Sequence, residues 1–160
     1  MTTMPLRKRS DLHVARKLWH SIGVLAIVLG YHLLPWRQGV FVLAGVTVLA
    51  ITLDLARRVS PLLNALILKV FGSLMRENEE NGLAGTTFLL AGALLVIVVF
   101  PKPVATLALL FLGFGDPISS YFGIRYGKDR LVGNKTLQGT MAGFVVCTLI
   151  AISYFLSQDI

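Results

Sequence analysis

One cysteine in 160 residues, and a charged fraction of only 14%, are the first features of this chain. An average soluble domain is about 25% charged, so too few polar side chains remain here to cover a water-exposed surface. Cys147 lies inside an apolar run, which excludes a disulfide framework and a cysteine-based metal site. Acids are scarcer than bases, eight Asp and Glu against fifteen Lys and Arg, for a net charge of +7. Low-complexity tracts, heptad arrays and internal repeats are absent. What is abundant is apolar: 55% of residues are hydrophobic, and they fall in long runs. Disorder, a secreted disulfide scaffold and an ordinary nucleic-acid-binding domain are all excluded by this balance. The chain reads as an integral membrane protein.

A spanning helix needs about 20 mostly apolar residues. Five segments qualify as candidates: 18–34, 39–56, 84–100, 104–124 and 137–156. The expected fold is therefore all-α, a polytopic membrane bundle of about five transmembrane helices. Residues 1–17 form a basic N-terminal arm, and 18–160 form a single transmembrane domain. A signal peptide also begins with positive charge, but the later apolar runs argue that the chain from Ile22 onward is retained. Between the second and third spans, Leu62, Leu63, Leu66, Ile67, Val70, Phe71 and Leu74 recur at helical spacing amid Arg58, Lys69, Arg76 and the acids Glu77, Glu79 and Glu80. Segment 57–81 is thus expected to lie on the membrane surface as an amphipathic helix.

Alternating five spans places the arm, segment 57–81 and loop 125–136 on one side, with thirteen of the fifteen basic residues. By the positive-inside rule that side, including the N-terminus, is cytoplasmic. The charge then speaks for anionic lipid headgroups and not for nucleic acid.

Polar groups set into apolar helices are costly and mark function. They cluster at the cytoplasmic ends. Arg16, His20 and Gly23 share a face of the first helix beside Lys17; snorkelling basic residues are the alternative for the first and last of the charged ones. His13 and His32 fall on opposite sides of the membrane and look incidental. Asp54 ends the second span with Arg57 and Arg58 at i+3 and i+4, either a local ion pair or a metal carboxylate with a phosphate-binding arginine. In Asn81-Gly82-Leu83-Ala84-Gly85-Thr86-Thr87, hydroxyls and free N–H groups at a helix start suit an anion as well as a cap. Asp116 is embedded in an apolar segment, with Ser119, Ser120 and Gly123 at offsets of three, four and seven. It is expected to be the most buried carboxylate, needing a cation or a basic partner. Pro117 suits a broken or restarted helix there. Finally, Arg125, Lys128 and the run Gly133-Asn134-Lys135-Thr136, followed by Gly139-Thr140 and Gly143, offer cations, glycine turns and a lysine–threonine pair at a helix start. The glycine spacing departs from a P-loop, yet the composition suits polyphosphate. Gly139 and Gly143 equally suit helix packing.

These residues, from Arg16 to Phe144, resemble the family of CTP-dependent lipid-alcohol kinases: dolichol (polyprenol) kinase, phytol kinase and CTP-dependent diacylglycerol kinase. The elements are Arg16-Lys17-x-x-His20, Asp54-x-x-Arg57, Met75-Arg76 with nearby acids, Gly82-x-x-Gly85-Thr86-Thr87, Gly115-Asp116-Pro117 with Ser119, Ser120 and Gly123, and Gly133-Asn134-Lys135-Thr136 with Gly139, Thr140 and Gly143. Phosphatidate cytidylyltransferases look similar in the Gly-Asp and Lys-Thr regions.

The resemblance implies a kinase that moves the γ-phosphoryl group of CTP to a lipid hydroxyl at the cytoplasmic face, with Mg²⁺ as cofactor. Asp116, Lys135, His20 and Lys17 would be catalytic. Asp116 and Asp54 would hold the metal. Arg57, Thr86, Thr87, Ser119, Ser120, Arg125, Lys128, Gly133, Asn134, Thr136, Gly139 and Thr140 would bind the nucleotide. The expected partners are CTP, a lipid alcohol and anionic lipids, and the expected location is the cell inner membrane. Family members generally continue with further hydrophobic segments, which implies a minimal form completed by homo-oligomerisation, or a truncated one. Two rivals stand beside this reading. One is cytidylyl transfer to a lipid phosphate. The other is a non-catalytic transporter or assembly subunit, against which the almost wholly apolar outer halves of the third and fifth spans argue.

Overall fold

The computed structural model describes residues 14–75, 79 and 82–158. Arg7, Lys8 and Arg9 of the basic arm, and His13, Arg76, Glu77, Glu80 and Asn81, lie outside the described residues. The architecture is all-α apart from one small hairpin. Among the described residues seven α-helices follow in chain order: α1 (Val14–Leu33), α2 (Trp36–Val59), α3 (Pro61–Phe71), α4 (Gly85–Val99), α5 (Lys102–Leu110), α6 (Asp116–Tyr126) and α7 (Leu137–Gln158). A 3₁₀ turn, Gly72–Leu74, follows α3, and a π-turn, Phe111–Gly115, joins α5 to α6 without interrupting the rod.

Five helical rods, α1, α2, α4, α5 continued through α6, and α7, thus occupy the five apolar runs, with ends shifted by a few residues. Three rods, Trp36–Val59, Lys102–Tyr126 and Leu137–Ser157, are long and apolar enough to cross a membrane. The other two differ for physical reasons. Helix α1 carries Arg16, Lys17, His20 and Ser21 in its first two turns. Helix α4 has 15 residues, about 22 Å of rise against a hydrocarbon core of about 30 Å.

Helix α2 is stopped at Ser60, whose hydroxyl accepts from Leu63 N–H at 3.4 Å, and Pro61 opens α3 at the position where its missing N–H costs nothing. Helix α3 leaves Leu62, Leu66 and Val70 exposed as one stripe, the apolar face expected of a surface helix. Its end is pinned by Phe71 against Trp19, ring centroids 6.3 Å apart.

The core gathers Val24, Val28 and Tyr31 of α1, Leu43 of α2, Leu90, Ala93 and Ile97 of α4, and Ala105 and Leu109 of α5. Helix α7 packs mainly on α6, through two stripes of small residues spaced four apart: Gly115, Ser119 and Gly123 against Gly139, Gly143 and Cys147. A β-carbon on Gly139 would lie 2.7 Å from Ser119 O and 2.9 Å from Gly123 Cα, and one on Gly115 would lie 2.6 Å from Cys147 Sγ. The backbones touch, as small-residue stripes allow in membranes.

Loop 125–136 holds an unexpected element, a hairpin of β1 (Arg130–Val132) and β2 (Lys135–Thr136), with Gly133 at φ +56 in its turn. Glycine has no side chain to oppose a left-handed conformation there.

Candidate active site

The residues singled out from the sequence fall into two groups, joined by α1. The first lies where the start of α1, the end of α2 and the start of α4 meet. Asp54 and Arg57 form a buried ion pair, Nε to Oδ1 2.8 Å, with only 5% and 2% of each residue exposed. Asp54 Oδ2 also accepts from Ala84 N–H at 2.8 Å and from the Thr87 hydroxyl at 2.6 Å. Arg57 further donates to Asn64 Oδ1, Glu79 O and Gly82 O. The carboxylate therefore closes the start of α4, and the guanidinium gathers the carbonyls of the segment before it. Burial is sustained because every charge has partners.

Arg16 makes a second anchor. It donates from both terminal nitrogens to Glu79, at 2.9 and 2.6 Å, and to Leu74 O at 2.8 Å. A β-carbon on Gly85 would collide with this guanidinium, so the glycine is required by close approach. Lys17 is half-buried and engaged. Thr86 is exposed at the mouth of a cavity of about 650 Å³ between α1, α2 and α4, which Arg16, His20, Asp54, Glu79 and Thr87 also line.

The second group is built on α6, the hairpin and α7. The π-turn explains how it is held. In an α-helix the N–H of residue 116 would bond to Leu112 O and that of residue 117 to Gly113 O. Here Asp116 N–H bonds to Phe111 O, and Pro117 has no N–H. Two carbonyls are thus freed inside the apolar rod, where each needs a donor. Helix α1 supplies both: the His20 ring donates from Nε2 to Leu112 O at 2.9 Å, and the Ser21 hydroxyl donates to Gly113 O at 2.7 Å. A carbonyl only accepts, so Nε2 is the donor of this bond and Nδ1 is the ring nitrogen left for another partner. Ser21→Ala is expected to lower stability by about 1–3 kcal/mol, since it leaves Gly113 O unsatisfied. Thermal melts in detergent check this, with Ser21→Thr retaining most of the stability.

Asp116 differs from its expected burial. It is exposed, and no hydrogen bond or ion pair reaches its carboxylate among the described residues. Among the described residues the most buried carboxylate is Asp54. Gly115 and Ser119 take the positions against α7, and residue 116, turned about 100° from the first and about 60° from the second, is exposed. Ser119 and Gly139 are packing residues of the crossing, and Gly123 meets both Gly139 and Thr136 there. Ser120 is half-buried one turn beyond Asp116.

The cationic loop is rigidly braced. Gln138 Oε1 accepts from Lys128 N–H at 3.0 Å and Asp129 N–H at 3.3 Å, and its amide donates to Asp129 Oδ2 at 2.7 Å. Thr136 caps α7, its hydroxyl accepting from Gly139 N–H at 3.3 Å, while Thr140 donates to Thr136 O. Asn134 lies in the turn beside Gly133. Lys128, Arg130 and Lys135 are all exposed, and no ion pair takes their side chains among the described residues. Arg125 stacks on Tyr126, 5.8 Å from its ring centroid. Arg130, Gln138 and Ser21 were missed in the sequence; only Arg130 carried a signal, its charge in the basic loop.

The described residues contain no group of three or more His, Cys, Asp or Glu able to hold a metal. The chemistry still fits one ion whose coordination is completed by phosphate oxygens, because Mg²⁺ often takes only one or two protein carboxylates. Asp116, unpartnered, fits that role. Asp54, with both oxygens already accepting, does not.

Fold and site together define a polytopic membrane protein with a carboxylate, Asp116, left without a partner among the described residues, a braced cationic hairpin, and a largely apolar cavity that α1 shares with α2 and α4. Comparison with known proteins narrows the class. The chain is similar to CTP-dependent diacylglycerol kinase 1 of Schizosaccharomyces pombe, 35% identical over 138 residues that make up 82% of this chain and 62% of that protein. It is 34% identical over 136 residues to CTP-dependent diacylglycerol kinase 1 of Eremothecium gossypii, 83% of this chain and 43% of the relative. Dolichol kinase of Saccharomyces cerevisiae is 29% identical over 152 residues, 88% of this chain and 28% of that protein. The chain thus spans less than two thirds of the length of these three relatives. No family model and no solved structure matches it. By these similarities the chain is a homologue of the CTP-dependent lipid kinases, the family its motifs resemble.

Proposed function

We propose that this protein is a lipid kinase that transfers the γ-phosphoryl group of CTP to the hydroxyl of a lipid alcohol at the cytoplasmic membrane interface. The observation that carries the reading is the unpartnered Asp116 on the same rod-and-hairpin unit as the exposed Lys128, Arg130 and Lys135. Phosphoryl transfer asks for positioning and charge neutralisation more than covalent chemistry. The names of the relatives supply the donor and the acceptor class.

In this reading Lys128, Arg130 and Lys135 hold the phosphates, with Asn134 and the turn amides completing the cradle. Mg²⁺, held by Asp116 with Ser120 nearby, would neutralise charge on the transferring group. His20 Nδ1 accepts the proton of the attacking hydroxyl, and CDP leaves. Arg57, Asp54 and Thr87 act differently from their first assignment. They position the start of α4 and do not touch nucleotide or metal. Thr86, at the cavity mouth, faces the acceptor. The excess of basic residues on one side supports a cytoplasmic N-terminus facing anionic lipids, in the inner membrane of the cell in this reading.

The test is purified protein with CTP, ATP, GTP and UTP against a panel of lipid alcohols. Lys135→Ala should lower catalytic efficiency with CTP at least tenfold, equivalent to about 1.4 kcal/mol. Arg37→Ala, exposed at the opposite end of α2, should change little. Equal, small effects at both would confine the hairpin's charge to setting orientation.

A further inference from the structure

The cavity between α1, α2 and α4 is larger than the polar site requires. Its walls follow one face of α1, through Arg16, His20, Gly23, Ile27, Gly30 and Leu34, and one face of α2 from Gly39 to Asp54. The spacing of those α1 residues is three or four throughout, so they form a single stripe. Along it the chemistry changes in order: charged and hydrogen-bonding at the cytoplasmic end, then small, then apolar. From His20 to Leu34 the stripe rises about 21 Å, a large part of a bilayer leaflet pair. Several lining residues, Trp19, Leu34, Val42, Val46 and Leu53, keep a large part of their surface exposed. The cavity is therefore a partly open groove between helices and not a sealed void.

Glycine makes the space. Nothing lies within 4 Å of where a β-carbon would stand on Gly23 or Gly30. Neither glycine serves a helix crossing, unlike Gly139 or Gly115. Each glycine costs about 1 kcal/mol of helix propensity, and at Gly23 and Gly30 it widens the groove that these residues line.

We infer that this groove holds the hydrocarbon tail of the acceptor lipid alcohol, with its hydroxyl at the His20 end and its chain laid along Gly23 and Gly30. The inference rests on the kinase reading and adds the acceptor's place to it. The hydroxyl meets the one ring nitrogen that the π-turn leaves for another partner, and the apolar chain avoids both the nucleotide hairpin and the Asp54–Arg57 pair.

The experiment fills the groove without disturbing the protein. Gly23→Leu and Gly30→Leu meet open space, and so do Gly45→Leu and Gly92→Leu, which do not line the groove. In mixed micelles, the two groove variants should raise the apparent KM for lipid alcohol at least tenfold, with melting temperature and KM for CTP unchanged. The two control variants should match wild type. In parallel, a lipid alcohol with a photoreactive tail should label α1 and α2, and Gly23→Leu and Gly30→Leu should suppress that labelling. Unchanged lipid KM and unchanged labelling in the groove variants would overturn the inference while leaving the kinase reading in place. Glycine-sensitive labelling in a protein that phosphorylates no lipid would do the reverse. Equal labelling by a tail-matched lipid without the hydroxyl would also overturn it, since the groove would then hold any bilayer lipid.

Discussion

Asp116→Asn is expected to abolish turnover while the protein folds and melts as wild type. The substitution keeps the volume of a side chain that is exposed and makes no hydrogen bond or ion pair among the described residues, so little stability is at stake. What disappears is the charge that would hold the metal–nucleotide complex, and a neutral amide is a poor Mg²⁺ ligand. A loss of at least a thousandfold in kcat/KM, about 4 kcal/mol, is expected. Asp116→Glu should recover a trace at most, because Mg²⁺ demands near-ideal octahedral geometry. A structural role would show the opposite pattern, with a lowered melting temperature even without nucleotide. A well-folded Asp116→Asn protein with near-normal turnover would remove Asp116 from the site.

Arg57→Ala should do its damage through the fold. It would strand the Asp54 carboxylate in a buried position and release Glu79 O and Gly82 O together. Breaking one side of a buried pair costs about 3–5 kcal/mol, a large share of the 5–15 kcal/mol that holds a typical domain together. Arg57→Lys is expected to fare little better, because an ammonium cannot span Asp54, Asn64 and two carbonyls from one planar fork. Asp54→Asn should be milder, as an amide oxygen can still accept from Ala84 or Thr87. Melts in detergent and limited proteolysis at the start of α4 read these effects. An Arg57→Ala protein that melts as wild type but loses nucleotide affinity would return Arg57 to the phosphates.

Much of this arrangement is legible from residue order. Long apolar runs locate α2 and α7 within a few residues, because a bilayer-spanning helix leaves little choice of residue type. Asp54 and Arg57 announce a pair at i,i+3. Their other partners, Ala84 and Thr87 on one side and Glu79 and Gly82 on the other, are 22 to 33 residues away, and no local rule brings them in. Asp116 was read as buried because its neighbours are apolar. In a membrane helix an apolar sequence says nothing of which face meets protein, and the glycine stripe gives residues 115 and 119 the inner positions. The link from His20 and Ser21 to the π-turn was hidden, although Pro117 held the clue: a proline inside a spanning rod frees a carbonyl that some neighbour must satisfy. The hairpin carried its own signal in Gly133-Asn134 between Val132 and Thr136, a turn dipeptide flanked by β-branched residues.

In the proposed reaction the γ-phosphoryl group, and no other part of the nucleotide, reaches the lipid. Purified protein in lipid nanodiscs with a lipid alcohol should be given CTP labelled at the γ-phosphate in one reaction and at the α-phosphate in another. The account predicts label in the lipid product only from γ-labelled CTP, with CDP released in equal amount. Label entering the lipid from α-labelled CTP, with pyrophosphate released, would show cytidylyl transfer and contradict it.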